Sequence, residues 1–137
     1  MGLFDKLLGK EAKLTPKSAF VLSAMTLIAA DGQIDEEEIL SLRRLVKGDM
    51  DSIKTAQKIW QGTPHLKELL PLIAAALNAK QREVVIANLI DLAMADGTLA
   101  PAEKELLDLY LQTFQISEEK VKPVIDVVAL KNNTSIL

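Results

Sequence analysis

Two short acidic corners hold the residues best equipped for chemistry in this 137-residue chain. Asp31-Gly32-Gln33-Ile34 leads to Glu38, and Asp96-Gly97-Thr98-Leu99 leads to Glu103. The aspartates lie 65 residues apart (96 − 31), and so do the glutamates (103 − 38). The apolar frame repeats with them: Leu27 matches Leu92, Ile34 matches Leu99 and Leu42 matches Leu107. Paired carboxylates supply the hard oxygen ligands that suit calcium, magnesium or manganese rather than zinc. Each corner matches the second half of an EF-hand loop, with Asp at position 5, Gly at 6, an aliphatic residue at 8 and Glu at 12. The first half fails. Positions 1 and 3 fall on Leu27 and Ala29 in one copy and on Leu92 and Met94 in the other, and aliphatic side chains cannot ligate a hard cation. The corners are not EF-hands.

Folding alone accounts for much of each corner. Gly32 and Gly97 can end a helix in the left-handed conformation. Asp35 can cap the next helix, with Glu38 as its capping-box partner. Asp31 and Asp96 fit that scheme less well, because the C-terminus of a helix is the negative end of its dipole. Each calls for a compensating group: a helix N-terminus, a basic side chain or a cation. The residues leave two alternatives open, a divalent-cation site at Asp31, Glu38, Asp96 and Glu103, or a pair of helix caps.

The remaining chemistry-bearing residues are sparse. His65, the one histidine, follows a proline at a helix start, where a surface or capping role outweighs a catalytic one. No nucleophile, phosphate loop or metalloprotease motif accompanies the carboxylates, so the chain does not read as an enzyme and no organic cofactor is implied. Cysteine is absent, which excludes disulfides and zinc–thiolate sites. A formal charge of −3 argues against nucleic acid as a partner. No apolar run approaches the roughly 20 residues of a membrane span, and no signal peptide is recognisable.

These corners must be positioned by helices. Apolar residues make up 49% of the chain and aromatic ones only 4%, so the core is built from aliphatic side chains, as helix-on-helix packing favours. Residues 1–13 form an amphipathic segment, with Leu3, Phe4, Leu7 and Leu8 on one face, expected to dock on the body or to touch a membrane or a partner. Residues 14–130 form a single helical domain, and 131–137 a flexible tail. Thr15-Pro16 starts the first long helix, which carries Phe20, Ala24, Leu27 and Ile28 inward. Asp35 starts a second, ending near Gly48. Asp51 or Ser52 starts a third, closed at Gly62, and Thr63-Pro64 a fourth that Pro71 should kink or split. A fifth, from about Gln81 to Ala95, is apolar on nearly all sides and reads as the buried central helix. Pro101 opens the sixth, and Ser117 caps the last. Trp60 and Tyr110 fit apolar faces. The fold class is all-α, a compact array of about seven helices with short connections and an internal pseudo-twofold repeat.

Ala-Asp-Gly-x-Ile-Asp-x-x-Glu and Ala-Asp-Gly-x-Leu-x-x-x-Glu, in tandem on a helical chain of this size, resemble the TerB family of tellurite-resistance proteins. The opening Met-Gly-Leu-Phe-Asp-Lys is similar to the start of such proteins. The resemblance covers roughly residues 1 to 115. It implies a compact helical domain with pseudo-twofold symmetry and an acidic surface for divalent cations. It also implies protein partners in a bacterial stress-response assembly, in the cytoplasm or at the cytoplasmic face of the inner membrane. The matching positions are Asp31, Glu38, Asp96 and Glu103. Ala100, Pro101 and Ala102 stand where the first motif has Asp35, Glu36 and Glu37, so one shared or weak site is favoured over a symmetric two-ion site.

Overall fold

The computed structural model describes residues 13–30, 36–63, 65–95 and 99–137, with side chains from residue 40 onward in the second stretch. Seven α-helices follow one another, with no strand among the described residues: α1 (Pro16–Ala30), α2 (Glu36–Leu45), α3 (Met50–Gly62), α4 (Leu66–Ala75), α5 (Ala79–Ala93), α6 (Pro101–Phe114) and α7 (Glu118–Asn132). A short 3-10 turn, Thr134–Ile136, closes the chain. The expected all-α array is observed. The amphipathic segment 1–12, the glycines of both corners and Asp35 lie outside the described residues.

Local chemistry sets the helix starts. The Thr15 Oγ1 accepts from the Ser18 amide at 3.1 Å, and the Ser18 hydroxyl accepts from the Thr15 amide at 2.7 Å. This is a capping box in which serine replaces the usual Glu or Gln. Asn78 and Gln81 form a second box, both bonds being 2.8 Å, at the start of α5. Ser117 caps α7 through the Lys120 amide, as expected. Two starts differ from the sequence reading. The cap of α3 is Asp49, not Asp51 or Ser52, because Asp49 accepts from both the amide and the hydroxyl of Ser52, at 3.2 and 3.0 Å. α4 begins after His65 rather than at Pro64, and the exposed His65 makes no side-chain cap.

Pro71 neither ends nor splits α4, which runs from Leu66 to Ala75 with the proline inside it. Pro71 lies on the exposed face, where water can take the carbonyl bond its ring forfeits. Pro123 sits likewise on the exposed face of α7.

The central helix is α1, not α5. Ten of its residues are buried, including Ser18, Ser23 and Thr26, and it packs against α2, α3, α4, α5 and α6. Its hydroxyls cause no desolvation penalty, because each bonds a carbonyl one turn back: Ser18 to Thr15, Ser23 to Phe20 and Thr26 to Ser23. Small Ser18, Ala19, Ser23 and Ala24 let neighbours approach from several sides. α5 buries Val85, Ile86, Leu89, Ile90 and Ala93, but its Val84 is 51% exposed. Leu, Ile and Val predominate in the core, which also takes in Tyr110 and Phe114.

Specific contacts fix the sense of the helices. Tyr110 on α6 meets Thr26 on α1, and Ala102 on α6 shares a groove with Ala30, so α1 and α6 run antiparallel. Arg82, near the start of α5, lies 5.9 Å from the ring centroid of Phe114 at the end of α6. Its guanidinium also donates to the Ala74 carbonyl at 2.8 and 3.2 Å, tying in the last turn of α4. The end of α7 reaches the end of α5: Lys131 pairs with Asp91 at 3.0 Å, and Asn132 donates to the Met94 carbonyl at 3.0 Å. α1, α5 and α7 therefore share one direction. The helix also outruns Leu130, where the sequence reading ended it, by two residues.

Candidate functional site

Of the four carboxylates singled out from the sequence, Asp31 and Asp96 lie outside the described residues. Glu38 falls in the first turn of α2, with only its backbone described. Glu103 stands in the first turn of α6, half-buried, and already has an interaction partner. Among the described residues no three His, Cys, Asp or Glu side chains cluster as metal ligands.

The elements that carry the corners are nevertheless brought together. α1 ends at Ala30, the residue before Asp31, and α6 starts at Pro101, two residues before Glu103. Ala29 and Ala30 from α1 and Ala102, Glu105 and Leu106 from α6 line one groove of about 290 Å³. Trp60 closes its side from α3. Ala102, which is exposed, stands where the first motif has Glu37 (102 − 65 = 37).

The start of α6 has an electrostatic feature of its own. Its N-cap is Ala100, which offers no side-chain acceptor, and Pro101 donates no N–H. Its first-turn amides therefore depend on Glu103 or on other groups for a negative partner.

Beneath the groove, the sole tyrosine links α1 to α6. The Tyr110 hydroxyl is fully buried, 2.5 Å from Thr26 Oγ1. Thr26 donates its own proton to the Ser23 carbonyl, so Tyr110 is the donor to Thr26. Burial pushes the Tyr110 phenol well above its ordinary value. The group stays neutral and structural.

Sequence reasoning missed two places. One is the polar surface around Asp49, where Lys17 lies 3.7 Å away. The Ser52 amide, then the Ser52 hydroxyl, hold the Asp49 carboxyl below its usual range; exposed as it is, Lys17 adds less. An Asp two residues before the first expected cap was the available signal. The other is an apolar groove of about 440 Å³ between α6 and α7, floored by Ile86 and Ile90 of α5. It depends on the packing of three helices, and no local pattern announces it.

A family model described as tellurite resistance protein TerB matches residues 17–124. Searches of curated proteins and of solved structures give no match.

Proposed function

The chain belongs to the TerB family, and on that premise we propose that it is a non-enzymatic helical domain that binds a divalent cation weakly through Asp31, Glu38, Asp96 and Glu103. One observation carries the reading. The end of α1, which leads into the first corner, and the first turn of α6, which follows the second, face the same groove. Corners 65 residues apart in sequence thus have their flanking helices in one place. A cation there would offset the aspartates at the unfavourable ends of two helices. Oxygen ligands favour calcium, magnesium or manganese. The family resemblance extends the proposal to protein partners in a bacterial stress-response assembly, in the cytoplasm or at the cytoplasmic face of the membrane. No described helix is long and apolar enough to cross a membrane.

A second reading makes the chain a protein-interaction module whose acidic corners only cap helices. It is favoured by how widely this chain uses side-chain caps, at Thr15, Asp49, Asn78 and Ser117. Titration calorimetry and melting with calcium, magnesium or manganese separate the two. Cation binding predicts heat and a rise in Tm at millimolar ion, since a ligand of the native state stabilises it. Both should vanish in the double variant Asp31→Ala, Asp96→Ala. No heat and no shift in the wild-type protein would leave the capping reading standing alone.

A further inference from the structure

The apolar groove between α6 and α7 has no role in the proposed cation site. Ile86 and Ile90 floor it, Leu107 and Leu111 form one wall, and Val121 and Ile125 form the other. Ile125 is 39% exposed, and Leu99 at the mouth 37% exposed. A concave apolar surface of this kind calls for a cover. We infer that its occupant is this chain's own N-terminal segment, with Leu3, Phe4, Leu7 and Leu8 seated in the groove.

Three observations point to that segment. The first is chemistry: residues 3–8 present four large apolar side chains at helical spacing, the pattern by which an amphipathic helix fills a groove. The second is charge. Lys104 of the groove is paired with Asp108 at 3.6 Å, whereas Glu118, Glu119 and Lys122, on its α7 side, form no ion pair among the described residues, so three carboxylates stand against two lysines in the lining. The segment brings Lys6, Lys10 and Lys13 against Asp5 and Glu11, an excess of positive charge toward an excess of negative charge. The third is reach. α1, α5 and α7 run in one direction, so the chain enters α1 at the end of the array where Glu118 and Glu119 begin α7. Only α5 separates α1 from α7 in that layer, a span of roughly 16–20 Å for helices packed 8–10 Å apart. The six residue-to-residue steps from Leu7 to Lys13 cover about 20 Å when extended.

The absence of native cysteine makes disulfide trapping a clean test. The full chain carrying Leu7→Cys and Ile125→Cys is oxidised mildly beside a control carrying Leu7→Cys and Leu109→Cys. Leu109 is exposed on α6, the helix of the opposite wall, and lines the other groove. Docking predicts a bond within one chain, forming at least about tenfold faster than in the control, because a docked segment holds its thiol at high effective concentration. Deleting residues 1–12 should then speed amide exchange in residues 118–125 several-fold and leave α3 unchanged. Trapping no faster than the control overturns the inference, as does exchange in α7 that ignores the deletion. A bond formed between chains also overturns it, and would assign the groove to a second copy.

Discussion

The helices that flank the two matched corners of the sequence end in different states of burial. α2 begins at Glu36 and α6 at Pro101, 65 residues on (101 − 36), α1 precedes the one and α5 the other, and α4 has no counterpart. Yet α1 is surrounded, whereas α5 keeps an open side. Matched positions show why. Ser18, Ala19 and Ser23 of α1 are buried; 65 residues later stand Glu83, Val84 and Asn88. Glu83 pairs with Lys120 at 3.2 Å, and Val84 faces solvent. The third helix differs in the same sense. α3 turns small Ser52 and Ala56 inward with Ile53, while α7 meets the core through Val121 and Val128. Bulkier contacts hold a helix farther off, and beside α7 a groove opens. A repeated pattern of large apolar residues thus specifies which helices form and in what order. The small residues decide which copy becomes the centre.

Leu27 and Leu92 put that contrast to its hardest test, since they occupy equivalent positions, one fully buried and the other half-buried. Leu27→Ala should destabilise by about 3–5 kcal/mol, the range for a leucine truncated in a packed interior. Leu92→Ala should cost about 1–2 kcal/mol, as fewer contacts are lost and the site can relax. Denaturant titration of both variants reads the difference. Equal losses would break the assignment of α1 as the centre.

Tyr110→Phe should have a smaller effect, about 1 kcal/mol, because Thr26 keeps its bond to the Ser23 carbonyl and loses only one incoming proton. The single tyrosine makes an alkaline absorbance titration specific to this site. Its folded-state pKa is raised above the ordinary 10.0, so the unfolded chain ionises first. The stability it contributes is whole below pH 10.0 and declines as pH rises above it. Phenolate absorbance should therefore appear only with unfolding. Reversible ionisation of the folded protein near pH 10.0 would refute the buried link between α1 and α6.

Helix identity was legible in the sequence wherever punctuation was strong. Pro16, Pro101 and Ser117 mark starts that the structure keeps. Legibility failed where a local rule competed with its surroundings. Ser18, Ser23 and Thr26 count as polar in any periodic reading, yet bonds to their own helix let them be buried, which hid the true central helix. Pro71 reads as a break, yet its place on an exposed face lets α4 continue. At the candidate site, the residue types and their 65-residue spacing were visible. The shared groove was not, because it depends on how α1 and α6 pack, and no local pattern announces that.

The smallest expected effect separates the caps of α3 and α7, which do the same job with different chemistry. Asp49 caps with a charge, Ser117 with a neutral hydroxyl. The Ser52 amide, then its hydroxyl, lower the folded-state pKa of Asp49 below the ordinary 3.8. The unfolded chain therefore takes up its proton first as pH falls. The charge-dependent part of the cap is fully present above pH 3.8 and is lost as pH descends through the lower folded-state value. Asp49→Asn keeps an acceptor at the cap and removes the titration, so stability should fall less steeply in acid than in the wild-type protein. Ser117→Asn should leave that slope untouched, because no proton is exchanged there. Acid denaturation of the three proteins in parallel decides it: coincident slopes for wild type and Asp49→Asn would mean that Ser52 does not hold the carboxylate in solution, and the two caps would then be equivalent.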